Sequence, residues 1–159
     1  MELIDYFDFE AVVLERIQDS DIDESVTLIN HAYKYQEQYK NEPRVNRETL
    51  ITQVKKSKFY VAKSNNHVIA TVYIQPKGET LKLGLLAVLD AYRGKGLAPA
   101  IIKAIEEYGR TGGFKSLALD YMSIAPWLKK YYEKYGFKET GEFENWGTID
   151  LIHMEKSLC

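Results

Sequence analysis

AYRGKGLAPAII, residues 91–102, places small residues and two cations between a nearly unbroken apolar run at 81–89 and an amphipathic pattern downstream. The apolar run reads as a strand and the pattern as a helix, so the junction is a strand-to-helix turn built on Gly94, Lys95 and Gly96. The N–H groups of a helix's first turn have no intrahelical partner, and glycine lets the backbone that carries them approach an oxygen-rich group closely. The helix end adds partial positive charge and Arg93 and Lys95 add full charges, so the turn predicts an anion site for a phosphate or diphosphate. Pro99 fits the first turn, where its missing N–H costs no bond.

Two common phosphate-binding patterns do not fit. A P-loop needs Gly-x-x-x-x-Gly-Lys-Ser/Thr, and no Ser or Thr follows a lysine at that spacing. The dinucleotide pattern Gly-x-Gly-x-x-Gly begins at Gly94 and Gly96 but meets Pro99 where its third glycine belongs.

Working outward, residues 80–88 form the predicted strand before the turn. Ile101, Ala104, Ile105 and Tyr108 repeat at helical spacing after it, with Gly109, Gly112 and Gly113 as the stop. FKSLALD, 114–120, is the next strand, so a strand–helix–strand unit predicts a right-handed crossover and a local parallel pair. KFYVAKSNNHVIATVYIQ, 58–75, reads as a hairpin turning at Ser64, Asn65 and Asn66, followed by a turn at Pro76, Lys77 and Gly78. An antiparallel meander results.

Nearer the N-terminus, residues 11–17 read as a strand. Asp19, Ser20 and Asp21 then cap a helix with Ile22, Val26, Ile29 and Tyr33 on one face. A polar, aromatic loop broken by Pro43 leads to a second helix near 47–56. Leu128, Tyr131, Tyr132 and Tyr135 mark a last helix stopped by Gly136, and FKETGEF and TIDLIHMEK a final strand pair around Asn145, Trp146 and Gly147. The fold class is therefore mixed α/β, or α+β.

The chain has 159 residues, 45% of them apolar and 28% charged, with a formal charge of -2. One ordinary domain over 1–159 is expected, with no repeat or linker. Near-neutral charge gives no footprint for nucleic acid. No apolar stretch approaches a membrane span and the acidic N-terminus does not resemble a secretory signal, so the expectation is a cytoplasmic protein without a membrane partner. His31, His67 and His153 lie far apart, so no metal is assigned. Cys159, the only cysteine, stands last in the chain with no scaffold for a nucleophile.

LLAVLDAYRGKGLA resembles the acetyl-coenzyme A motif of the GNAT superfamily of N-acetyltransferases, Arg/Gln-x-x-Gly-x-Gly/Ala, filled here by Arg93, Gly96 and Ala98. YYEKYGF is similar to that family's C-terminal helix, with Tyr132 at the functional tyrosine position. HMEKSL is similar to its last strand and DSDIDESVTLINHAY to its first helix, so the resemblance covers about 11–158. It implies a mostly antiparallel sheet splayed between its fourth and fifth strands and flanked by about four helices. It also implies acetyl-CoA as co-substrate: backbone bonds from Leu86, Ala87 and Val88 to the pantetheine arm, and the diphosphate on Arg93, Gly94, Lys95, Gly96, Leu97 and Ala98. The chain departs from the family at Asp90, often proline, and at Ala125, often asparagine.

The activity so implied is transfer of the acetyl group to a primary amine by direct attack, without an acyl-enzyme, Tyr132 hydrogen-bonding the leaving sulfur. No base is legible, because residues 81–88 hold no carboxylate; Glu79, Asp120 or His31 through a water, or a desolvated substrate, stay open. Tyr33, Tyr35, Tyr39, Trp127 and Trp146 could form an aromatic wall for a cation, with Glu37 and Glu42 supplying charge. A small-molecule amine is the expected acceptor, with a peptide or protein amine as the alternative. A non-catalytic CoA-binding or interaction module is the alternative of another class, and a homodimer is compatible with the sequence.

Overall fold

The computed structural model describes residues 1–37 and 42–159. Its strands are β1 (Val13–Arg16), β2 (Lys58–Ser64), β3 (His67–Lys77), β4 (Thr80–Val88), β5 (Ser116–Met122), β6 (Lys138–Trp146) and β7 (Ile149–Ser157). The helices are α1 (Ile22–Ala32), α2 (Arg47–Lys56), α3 (Leu97–Thr111) and α4 (Trp127–Glu133). The strands make one seven-stranded sheet in the order β1-β2-β3-β4-β5-β7-β6. All neighbours are antiparallel except β4 and β5. This is the mixed architecture expected from the sequence. No helix among the described residues is long and apolar enough to cross a membrane.

The local signals act largely as anticipated. Asn65 and Asn66 take φ of 51° and 67°, the positive pair that a two-residue hairpin with strand-matching twist requires. Several details differ. Asp19, Ser20 and Asp21 form a 3-10 turn, and no side chain caps α1; Asp21 pairs with Lys63 at 2.7 Å instead. Gly109 does not end α3 but lies within it, where a Cβ would come 2.9 Å from Leu158 Cδ1, so its bareness lets Leu158 close on the helix. Pro76 belongs to β3, because β2 begins only at Lys58, opposite Ile74, and leaves no neighbour on that side to need its N–H. The buried face of α1 is Ile22, Ser25, Leu28 and Ile29, with Val26 only half-buried.

Two cores sandwich the sheet. Leu81 and Leu83 of β4 join Leu97, Ile101 and Ile105 of α3 in one, while Leu85 and Ala87 join Ile29 and Leu50 in the other. The change of side within one strand comes from a bulge: the β3–β4 register shifts between Thr71 and Tyr73, and Leu85 takes φ of 47°. The fully buried Thr71 donates its hydroxyl to the Leu85 carbonyl at 2.8 Å, satisfying a group that the irregular ladder would leave orphaned.

The parallel seam is short. Thr80, Lys82 and the intervening Leu81 face Ser116, Ala118 and Leu117, and there the pairing stops while β4 runs on to Val88. A polar clamp holds this point on the α1 and α2 side. Thr80 and Ser116 share a hydroxyl contact of 2.9 Å, and Lys82 pairs with Asp120 at 3.1 Å. His153 of β7 meets Asp120 at 3.0 Å and Glu155 at 2.8 Å, one carboxylate on each ring nitrogen. Burial opposes its imidazolium, but the hydrogen bonds to Glu155 and Asp120 outweigh that and raise its pKa above the ordinary 6.5.

Two outcomes follow. Thr71→Val keeps the side-chain shape but strands the Leu85 carbonyl, and is expected to cost about 1–3 kcal/mol in denaturant unfolding, with Thr71→Ser close to wild type. The raised His153 pKa contributes stability that is complete below pH 6.5 and is lost as pH rises through the native value. His153→Gln should flatten that limb of the stability profile; an unchanged profile would remove the clamp.

Candidate functional site

Beyond the seam, where β4 runs on unpaired with β5, its end opens onto a cavity of about 840 Å³. Leu86, Ala87 and Val88 form one wall, and Arg93, Gly94, Gly96, Leu97 and Ala98 form the end where β4 passes into α3. Tyr132 lines the far side with Leu128, Tyr131 and Tyr135. Of the cofactor-binding residues and Tyr132 anticipated from the sequence, Lys95 alone is not on this lining; its ammonium lies 5.8 Å from the centre of the Tyr92 ring.

The anion end is built from backbone. Gly94 and Gly96 take φ of 74° and 89°, values costly for any residue with a side chain, and nothing lies within 4 Å of where a Cβ on Gly94 would stand. No side chain caps α3. Ala100 is the first residue whose N–H bonds back, to the Gly96 carbonyl at 3.1 Å, so the N–H groups of Leu97 and Ala98 precede the helical ladder. Asp90, at the position where the family resemblance suggests proline, meets His31 at 2.7 Å and Arg93 at 3.3 Å. The hydrogen bond to His31 holds the Asp90 carboxyl below its ordinary pKa. The end of α1 is thereby tied to the loop. Ala125 is fully buried ahead of α4 and does not reach the cavity.

Tyr132 is only 8% exposed and packs edge-on against the rings of Tyr131 and Phe137 at 5.3 and 6.0 Å. Burial, reinforced by Tyr33, Tyr131 and Tyr35, pushes its pKa well above 10. Burial likewise raises Tyr131, to about 12. These are neutral phenols at physiological pH, able to donate a hydrogen bond but not to serve as a base. The tyrosines of α4 are thus both part of the packed stripe and part of the cavity wall.

The aromatic wall assembles only in part. Tyr33 lies 5.9 Å from Tyr35, and Tyr35 meets Trp127 edge-on at 5.6 Å, all three on the lining. Trp146 closes β6 away from it, Glu37 and Glu42 are exposed and off the lining, and Tyr39 lies outside the described residues. The charged groups on the described lining are Arg93 and Lys134, so this wall offers no anion to a cationic guest. The three suggested bases stand off the lining too. Glu79 pairs with Lys115 at the opposite end of β4, His31 pairs with Asp90 at the surface, and Asp120 is held in the seam clamp.

Sequence reasoning named Tyr33 for the aromatic wall but missed how the β4 wall is supported from behind. Tyr33 donates to the Leu86 carbonyl at 3.4 Å, and Thr71 holds that of Leu85. Tyr73 lies across Gly84, where any Cβ would overlap its ring. The segment after α1 brings Arg44 over the Tyr33 ring at 5.6 Å. None carries a local motif; only an arginine beside Pro43 in a polar loop was open to notice.

Residues 55–139, more than half of the chain, match the family model of the acetyltransferase (GNAT) domain. Human N-acetyltransferase 8B is 30% identical over 103 residues, covering 60% of this chain and 45% of that protein. The chain thus spans about half the length of the curated relatives it matches. The ribosomal-protein-S18-alanine N-acetyltransferase of Escherichia coli superposes with a TM-score of 0.75 at 18% identity, over 92% of this chain and 94% of that one. A GNAT family acetyltransferase of Elizabethkingia anophelis, solved with acetyl-CoA bound, superposes with a TM-score of 0.70 at 17% identity, over 94% and 99% of the two chains. With the family model spanning the parted strands, the glycine turn and α4, the chain belongs to the GNAT acetyltransferase family.

Proposed function

We propose that the protein transfers the acetyl group of acetyl-CoA to the primary amine of a small molecule by direct attack. The observation that carries this reading is the continuity of one cavity from the free N–H groups at the start of α3, along the opened edge of β4, to Tyr132. The donor set fits the co-substrate. Gly94, Gly96, Leu97 and Ala98 present backbone to a diphosphate, with Arg93 beside them and Lys95 near enough to add charge. Leu86, Ala87 and Val88 offer unpaired strand edge to the amides of a pantetheine arm.

Acetyl-CoA supplies an activated acyl carbonyl and a thiol leaving group. Around these, a backbone N–H near the bulge at Leu85 would polarise the carbonyl oxygen, a role worth about 3 kcal/mol per donor in other enzymes. Thr71 and Tyr33 fix that stretch by holding the carbonyls of Leu85 and Leu86. Tyr132 would hold its proton toward the sulfur. Even at the unperturbed phenol pKa of about 10, full transfer to a thiolate of about 8.5 is uphill by roughly 2 kcal/mol. Burial raises Tyr132 further, so hydrogen-bond stabilisation is its role. The lining has no cysteine, and Cys159 is exposed beside Lys115, which agrees with transfer without an acyl-enzyme.

Calorimetric titration with acetyl-CoA, ATP and NAD tests the site: saturable binding of acetyl-CoA alone is expected, and absence of binding overturns the reading. Arg93→Glu should weaken acetyl-CoA at least about ten-fold by setting a negative charge beside the diphosphate; equal affinity would remove the loop assignment. Tyr132→Phe should lower kcat by about 10- to 100-fold with little change in acetyl-CoA affinity. Unchanged turnover would return Tyr132 to a packing role.

A further inference from the structure

Arg16, Arg47, Arg93 and Arg110 each lie within 4.0 Å of a carboxylate: Glu2, Asp23, Asp90 and Glu106 respectively. Arg44 pairs with none among the described residues, although it is the arginine drawn furthest inward. Its Nε is fully buried with no hydrogen-bond partner among the described residues, and its guanidinium covers the face of Tyr33 at 5.6 Å. A half-buried guanidinium with no anion beside it gives up part of its hydration without a compensating partner.

The position is built. Asn30 of α1 brackets the next residue, Val45, donating to its carbonyl at 2.9 Å and accepting from its N–H at 2.9 Å. Val45 itself is buried, so the backbone that carries Arg44 is held from two sides. The guanidinium is also close enough to oppose the rise that burial imposes on the phenols of Tyr33, Tyr35 and Tyr73. Tyr33 and Tyr35 line the cavity, and Tyr73 lies across Gly84 just past the seam. Arg44 therefore stands behind the aromatic wall, beside the place where the sheet parts. The other nearby cation, Lys82, is already committed to Asp120.

We propose that Arg44 binds a carboxylate carried by the amine acceptor, so that the acceptor is an amino acid or a comparable amine acid. This rests on the acetyltransferase reading above. A planar guanidinium edge matches a carboxylate in two parallel hydrogen bonds, which orients the acceptor as well as holding it. A polyamine is the converse case: the described lining would offer its second ammonium Arg93 and Lys134 and no carboxylate.

The test uses acetylated products, whose binding needs no turnover. CoA is first titrated into wild type, Arg44→Gln and Arg44→Lys. Failure of wild type to bind CoA overturns the cavity reading, and this proposal with it; equal binding by all three leaves the acceptor question isolated. With CoA saturating, N-acetylleucine and N-acetylphenylalanine are compared by calorimetry with N-acetylisopentylamine and N-acetylphenethylamine, which lack only the carboxylate. At least ten-fold tighter binding of an acid than of its partner is expected in wild type. Arg44→Gln should abolish that ratio without moving the neutral amides, and Arg44→Lys should retain part of it. No difference between acid and neutral partner in wild type, or a ratio that survives in Arg44→Gln, overturns the proposal. Tighter binding of N-acetylphosphoethanolamine than of either acid would overturn the choice of carboxylate over phosphate.

Discussion

Three parallel residue pairs, Thr80 to Lys82 against Ser116 to Ala118, join β4 to β5, and the rest of the structure depends on where they stop. Had the ladder continued, β4 would have spent its remaining backbone on a neighbour and no cavity would exist. Pairing ends where the side chains of Lys82, Asp120 and His153 lock together, so the point of separation is set by specific polar contacts and not by fraying. Hydrophobic packing alone would not fix such a point, because it is indifferent to one more pair of strand residues.

The parted edge is then kept in shape from behind. An unpaired strand edge is normally mobile and open to water. Here the β4 bulge rotates Leu85 and Ala87 into the second core, while Thr71 and Tyr33 occupy the carbonyls of Leu85 and Leu86. Charge is distributed with the same economy. Backbone dipoles and Arg93 face one end of the cavity, neutral phenols the other, and the described lining carries no carboxylate. The cavity as a whole favours guests with negative charge.

Much of this was legible in the sequence, for a physical reason: the signals are local. Asn65 and Asn66, the glycine turn at 94–96 and the helical repeats each act within a few residues, so composition and spacing suffice to place them. The ends of β4 and α2 fall where the pattern puts them. Gly109 misleads because a helix-ending residue and a packing gap look alike until Leu158, far along the chain, is seen beside it. The anion end of the cavity was readable because it is one contiguous stretch. The support behind its β4 wall was not, since Thr71, Tyr73 and Arg44 come together only through the sheet and the loop after α1. Asp90 shows the same limit, its meaning resting on His31 at the end of another element.

β6 is exposed along nearly its whole length and closes the sheet on one side, with no strand beyond it among the described residues. Such an edge could template growth by adding strands from other chains. Its composition works against that outcome, since Lys138 is its one cation against Glu139, Glu142 and Glu144, and the register break with Gly141 at φ of 91° bends it out of line. Two copies laid along this edge would bring excess negative charge together on strands that cannot lie flat. The open border of the sheet is thereby kept from becoming a nucleus for aggregation.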